Sequence, residues 1–125
     1  MDEEVCLDSD FIIELVNKKE KLNELFDKYY HLDTHTTTIN IFELLQRIEN
    51  VEIIENFISK IKILDFDEKS ARLASKMHKE LKSRGQLLDF RDLFIASISI
   101  SNNCTLATLN KKHFSRIKGL KLLKI

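Results

Sequence analysis

Proline is absent from this 125-residue chain and glycine occurs only twice, so no flexible linker divides it. A chain of this length can bury about two thirds of its unfolded surface, which predicts one domain over residues 1–125. No apolar run approaches the ~20 residues of a membrane helix, so a membrane protein is not expected. The N-terminus, MDEEV, is acidic where a signal peptide would be basic, and a cytoplasmic protein is expected. The two cysteines, Cys6 and Cys104, fall in predicted strands without metal-binding spacing and read as buried reduced thiols.

Net charge is also lacking: the formal balance is +0. The charges are nevertheless segregated, because residues 1–10 hold five acids and no base whereas residues 111–125 hold six Lys or Arg and no acid. A basic tail can hold a polyanion near an acidic site. A solvated lysine-rich surface accounts for any single lysine equally well.

The periodicities alternate between strand and helix. Val5–Asp8 reads as a short buried strand, followed by apolar positions Ile12, Ile13, Leu15, Val16, Leu22, Leu25, Phe26 and Tyr29 or Tyr30 at helical spacing. Leu32–Thr37, polar but β-branched, is a faint strand, and Thr38 or Asn40 would cap a helix carrying Ile41, Leu44, Leu45 and Ile48. A short helix is expected around Ile53–Ile58 and a strand over Ile61–Phe66. Asp67 then caps a long helix that Gly85 ends, another helix runs from about Phe90 to Asn102, and strands near Cys104–Thr108 and Leu120–Leu123 close the chain. Repeated strand–helix units predict an α/β fold, a three-layer α/β/α sandwich with a central, mainly parallel sheet.

In such sheets, ligands bind at the carboxyl ends of the strands. Asp8 and Asp10 follow the first strand, Thr108 and Asn110 follow a late one, and Asp89 and Asp92 share a helix face three residues apart. An unpartnered carboxylate at Asp8 would lose solvation worth several kcal/mol, so something must compensate it. Helix capping is one answer: Asp8 or Asp10 would cap the first helix, and Asp89 with Asp92 has the spacing of an N-cap and an N3 acid. A shared cation is the other. Glu43, by periodicity alone, is an ordinary glutamate of an amphipathic helix.

LDSDFII, TTTINIFELLQ around Glu43, DFRDLFIASISI and TLATLNKKHFSRIKGLKLLKI occur in this order over nearly the whole chain. The set resembles the PIN-domain ribonucleases, most closely the VapC toxins of type II toxin–antitoxin (VapBC) systems. The resemblance implies that Asp8, Glu43 and Asp92 are the catalytic, metal-binding acids, with Asp89 as a further metal candidate. Asn110 stands where relatives often carry an acid; its amide oxygen can coordinate a hard cation but adds no charge. Asp10 stands where many relatives have asparagine, with an orienting, proton-accepting or solvated role open to it. Ser9 and Thr108 would support the acids by hydrogen bonding.

The implied activity is a Mg²⁺- or Mn²⁺-dependent endoribonuclease in which a metal-activated water hydrolyses the RNA phosphodiester. Lys111, Lys112, Arg116 and Arg91 would grip RNA through phosphate contacts. The implied partners are an RNA substrate, a small VapB-type antitoxin covering the acidic pocket, and a second copy in a homodimer. His31, His35, His78 and His113 show no zinc or catalytic pattern and read as surface or edge residues.

Three other readings compete with this one. LDSDFI has the D-x-D shape of a haloacid-dehalogenase-type phosphatase, but Ile12 occupies that motif's Thr or Val place and no late acidic pair follows Thr108. A receiver-like phosphoacceptor domain would use Asp65 and leave Glu43 and Asp92 without a role. A non-catalytic PIN-like module would bind RNA or protein through the same surface without cleavage.

Overall fold

The computed structural model describes residues 3–17, 24, 27 and 33–124. Four strands form one parallel sheet: β1 (Glu4–Leu7), β2 (Asp33–Thr37), β3 (Lys62–Leu64) and β4 (Thr105–Ala107), in the order β3-β2-β1-β4. The helices are α1 (Ser9–Val16), α2 (Thr38–Arg47), α3 (Val51–Ile58), α4 (Glu68–Ser83), α5 (Phe90–Ser101) and the single turn α6 (Lys111–Phe114). The expected three-layer α/β architecture is therefore the observed one. The apolar positions from Leu22 to Tyr30 lie outside the described residues.

Strand alternation decides which helices cover which face. Val5 and Leu7 point into a core with Phe11, Ile12, Leu15, Leu44, Ile54 and Ile58 from α1, α2 and α3. Cys6, between them, points to the opposite core, with Ala74, Met77 and Leu81 of α4 and Leu93, Ile95 and Ala96 of α5. Neither layer can leave without exposing one side of β1.

Side-chain caps fix where the helices begin. Asp67 accepts from the Ser70 amide at 2.9 Å at the start of α4, and Thr37, rather than Thr38 or Asn40, accepts from the Asn40 amide at 3.1 Å at the start of α2. At the far end of α4, Gly85 takes φ +66°, and its amide donates to the Lys82 carbonyl.

Two sequence expectations change. Leu120–Leu123 does not form an extended strand; it makes an isolated parallel bridge, Leu106↔Leu122, with hydrogen bonds to the Leu106 backbone of 2.8 Å on each side. Gly119, at φ +84°, turns the chain immediately beforehand, leaving only a short run alongside β4. His35 is buried at 4% exposure in β2 rather than lying at the surface. Its strand is polar in sequence yet interior in the sheet, flanked by β1 and β3.

Phe11 fills the first core at 2% exposure, whereas Ile53 on α3 is 47% exposed. Phe11→Ala should lower unfolding stability by about 3–5 kcal/mol and Ile53→Ala by less than about 1 kcal/mol in urea denaturation. Equal losses at the two positions would contradict this division of the core.

Candidate active site

The carboxyl edge of the sheet is where the acids lie. Asp8 leaves β1 with its amide bonded to the Ala107 carbonyl of β4 at 2.9 Å and immediately caps α1. Its carboxylate, 6% exposed, accepts from the Ser9 amide (2.9 Å) and Asn40 Nδ2 (3.1 Å) on Oδ1 and from Thr108 Oγ1 (2.7 Å) on Oδ2. Burial still wins over these donors and over the N-terminal end of α1, holding the Asp8 carboxyl above its ordinary range.

Asn40 is the hub of this network. Fully buried, its amide donates to both Asp8 Oδ1 and Ser9 Oγ (2.9 Å), while its oxygen accepts from Thr37 Oγ1 at 2.8 Å. The Ser9 hydroxyl in turn donates a hydrogen bond to Glu43 Oε1 at 3.0 Å. One amide and one hydroxyl thereby tie α1, α2 and the end of β1 into a single arrangement. The sequence marks Asn40 only as a possible cap; its contacts span more than thirty residues and leave no local pattern.

Glu43 is half-buried and raised by burial first, with Asp8 adding to the shift and Ser9, Arg91 and Arg47 opposing it. Arg91 Nη1 stands 3.7 Å from Glu43 Oε2, and its Nε lies 3.2 Å from Asp89. Asp92 differs from the other acids because it has no hydrogen-bond partner among the described residues. Burial, followed by the charges of Asp8, Asp89 and Glu43, pushes its carboxyl up to about 6; nearby His113 opposes the rise.

The other sequence candidates separate in space. Asp89 is half-exposed and caps α5 by accepting from the Arg91 amide at 2.9 Å, which together with the Arg91 side chain lowers its pKa. Asp10 turns away to an exposed ion pair with Arg47 at 2.8 Å. Asn110 sits at the start of α6 with its amide nitrogen on Thr108 Oγ1 (3.0 Å) and its Nδ2 2.9 Å from His113 Nδ1. Lys111 and Lys112 follow it on α6, while Arg116 reaches the Leu87 carbonyl at 3.5 Å. Among the described residues, Arg47, Arg91 and His113 are thus the basic groups whose charge Glu43 or Asp92 feels, and of these only Arg91 stands out in the sequence, as a cation beside Asp89 and Asp92.

Among the described residues, the set of three acid, His or Cys side chains with ligand atoms all within 4.8 Å of one another lies elsewhere, at Glu4, Asp33 and His35. Asp8, Glu43 and Asp92 are spaced more widely, with Ser9 standing between the first two, yet Asp8 and Glu43 both contribute to the charge that Asp92 feels. An all-oxygen, net-negative set of this kind suits a hard cation that keeps part of its water shell.

Comparison with known proteins gives a consistent result. The family described as PIN domain matches residues 5–120. The chain is similar to Ribonuclease VapC1 of Methanocaldococcus jannaschii, 32% identical over 120 residues that cover 94% of this chain and 85% of the relative. It is also similar to the tRNA(fMet)-specific endonuclease VapC of Salmonella typhimurium, at 27% identity over 89% of each chain. Among solved structures, DNA-bound VapBC from Salmonella typhimurium superposes with a TM-score of 0.85 at 26% identity, covering 97% of both chains.

The raised Asp92 pKa carries a stability consequence. Its charged form is disfavoured in the fold, so the contribution is greatest below the unfolded value of about 4 and is lost as pH rises through about 6. In metal-free buffer at pH 7, Asp92→Asn should therefore stabilise the protein by about 1–2 kcal/mol, discounted for partial exposure, and flatten the fall between pH 4 and 6. A variant less stable than the wild type at pH 7 would contradict the assignment of Asp92 as an uncompensated acid.

Proposed function

The chain belongs to the PIN-domain family, and from that premise we propose that it works, as a single PIN domain over residues 1–125, as a metal-dependent VapC toxin. The protein is an endoribonuclease of the VapC kind. The finer reading is that Asp8, Glu43 and Asp92 hold Mg²⁺ or Mn²⁺. It is supported chiefly by Asp92, a part-buried carboxylate that feels the charge of three other acids, Asp8, Asp89 and Glu43, with no side-chain donor among the described residues. A bound cation would relieve that repulsion, polarise a water toward the RNA phosphodiester and offset charge on the phosphate.

The protein's own groups then divide the remaining work. Thr108 and Asn40 fix the Asp8 oxygens, and Ser9 keeps Glu43 turned toward Asp8. Asn110, uncharged, is a minor contributor to the cation, and Asp89 serves first as a helix cap and as the anchor of Arg91. Lys111 and Lys112 on α6, with Arg91 and Arg116, would hold the RNA backbone.

The proposed partner is a VapB-type antitoxin, the pairing named for the similar Salmonella structure, and the proposed assembly includes a homodimer. Phe42, Leu45, Val51 and Ile53 are exposed apolar side chains on α2 and α3, suited to covering by such chains. No helix among the described residues is long and apolar enough to cross a membrane, in keeping with a cytoplasmic site of action.

Purified protein should cleave RNA with Mg²⁺ or Mn²⁺ and stop with EDTA, and Asp8→Asn or Asp92→Asn should each reduce cleavage at least about 100-fold. RNA binding without cleavage under any metal would favour the non-catalytic module. Cleavage untouched by both substitutions would refute the site.

A further inference from the structure

At the opposite edge of the sheet, β1 and β2 begin side by side with Glu4 in register with Asp33. Asp33 and His35 are two apart on one strand, so all three side chains rise from the same face. One ligand atom from each, a carboxylate oxygen or an imidazole nitrogen, lies within 4.8 Å of the others. Glu4 and Asp8 are four residue steps apart along β1, roughly 13 Å of extended chain, so these are not the catalytic acids seen from another side.

His35 makes this more than a patch of acids. It is 4% exposed, Nδ1 lies 3.2 Å from the Asp33 carbonyl, and Nε2 has no hydrogen-bond partner among the described residues. A backbone carbonyl on one ring nitrogen is the arrangement that sets the tautomer of a ligating histidine and leaves the other nitrogen its lone pair. Glu4, exposed at the rim, leaves a path from solvent. Cys104 borders the cluster: its thiol is pushed up to about 11 by burial and then by the negative charge of Glu4 and Asp33.

We propose that Glu4, Asp33 and His35 form a second cation site, selective for Zn²⁺ and similar ions over Mg²⁺, that clips the starts of β1 and β2 together. The selectivity follows from the imidazole, which Zn²⁺ accepts readily and Mg²⁺ does not, whereas the all-oxygen acids at the other edge favour the harder ion. Three protein ligands leave a fourth position for water. The competitor is Lys62, whose ammonium holds Asp33 Oδ2 at 3.0 Å in an exposed pair of the kind that contributes little. This site does not depend on the nuclease reading.

The test is a Zn²⁺ titration of the metal-stripped full chain in millimolar Mg²⁺, followed by calorimetry and thermal melting, with Co²⁺ absorption as a probe of imidazole ligation. One equivalent of Zn²⁺ should bind at micromolar concentration and raise the melting temperature. Glu4→Gln should weaken binding at least tenfold without changing Mg²⁺-supported RNA cleavage, and Lys62→Gln should tighten it. Asp8→Asn and Asp92→Asn should leave Zn²⁺ affinity as it was. Because His35→Gln alters a buried position, the solvent-exposed Glu4 variant carries the decision. Zn²⁺ affinity unaltered by Glu4→Gln, abolished by Asp8→Asn, or absent altogether would overturn the proposal.

Discussion

The constraint on which this structure turns is the repulsion among carboxylates held at the carboxyl edge of a parallel sheet. β1 delivers Asp8 into a site where burial disfavours its charge, and α2 and α5 bring Glu43 and Asp92 beside it. Hydrogen bonds from Asn40, Ser9 and Thr108 satisfy Asp8, and Ser9 satisfies one oxygen of Glu43. Among the described residues nothing comparable reaches the Asp92 carboxylate. The protein alone therefore leaves an electrostatic deficit at one residue, and a divalent cation is the species that removes it most completely.

The fold accepts this because the adjacent layers are insured against it. The two cores on either side of β1 are apolar and well filled, so the strand ends cannot retreat from one another when the acids repel. The α1 cap and the Thr37 cap of α2 place two helix N-termini at the same edge, where their amide groups favour negative charge. Basic groups stay at the margin: Arg91 is drawn off by Asp89, and Arg47 by Asp10. The acids stay together at the centre while these cations stay at the rim.

Much of this was legible in the chain. The short apolar run ending at Asp8, the Asp67 and Asp89 caps, and the helical spacing through α4 and α5 are local signals, and each element stands within a few residues of its expected bounds. β2 was faint because DTHTT carries almost no apolar content; it is recognisable only from β-branching, and its burial comes from neighbours on both sides. Leu120–Leu123 looks like a strand because it is apolar, yet it pairs through a single bridge. Likeness to a family singled out the acids and gave Ser9 and Thr108 as their hydrogen-bonding support, but it did not point to Asn40 or Arg47. Asn40 to Asp8, Ser9 to Glu43 and Arg47 to Asp10 join positions more than thirty apart, and no periodicity encodes such a contact. The Glu4, Asp33 and His35 cluster escaped for the same reason, since its members meet only across the β1–β2 register.

The most direct test of the account is to crystallise the protein with Mn²⁺ and collect anomalous diffraction. A peak bounded by the carboxylates of Asp8, Glu43 and Asp92 and lost in the Asp92→Asn crystal is the predicted result. A map with no peak at that edge of the sheet, in crystals whose RNA-cleaving activity in Mn²⁺ has been verified, would contradict the claim that these three acids are gathered to hold an ion.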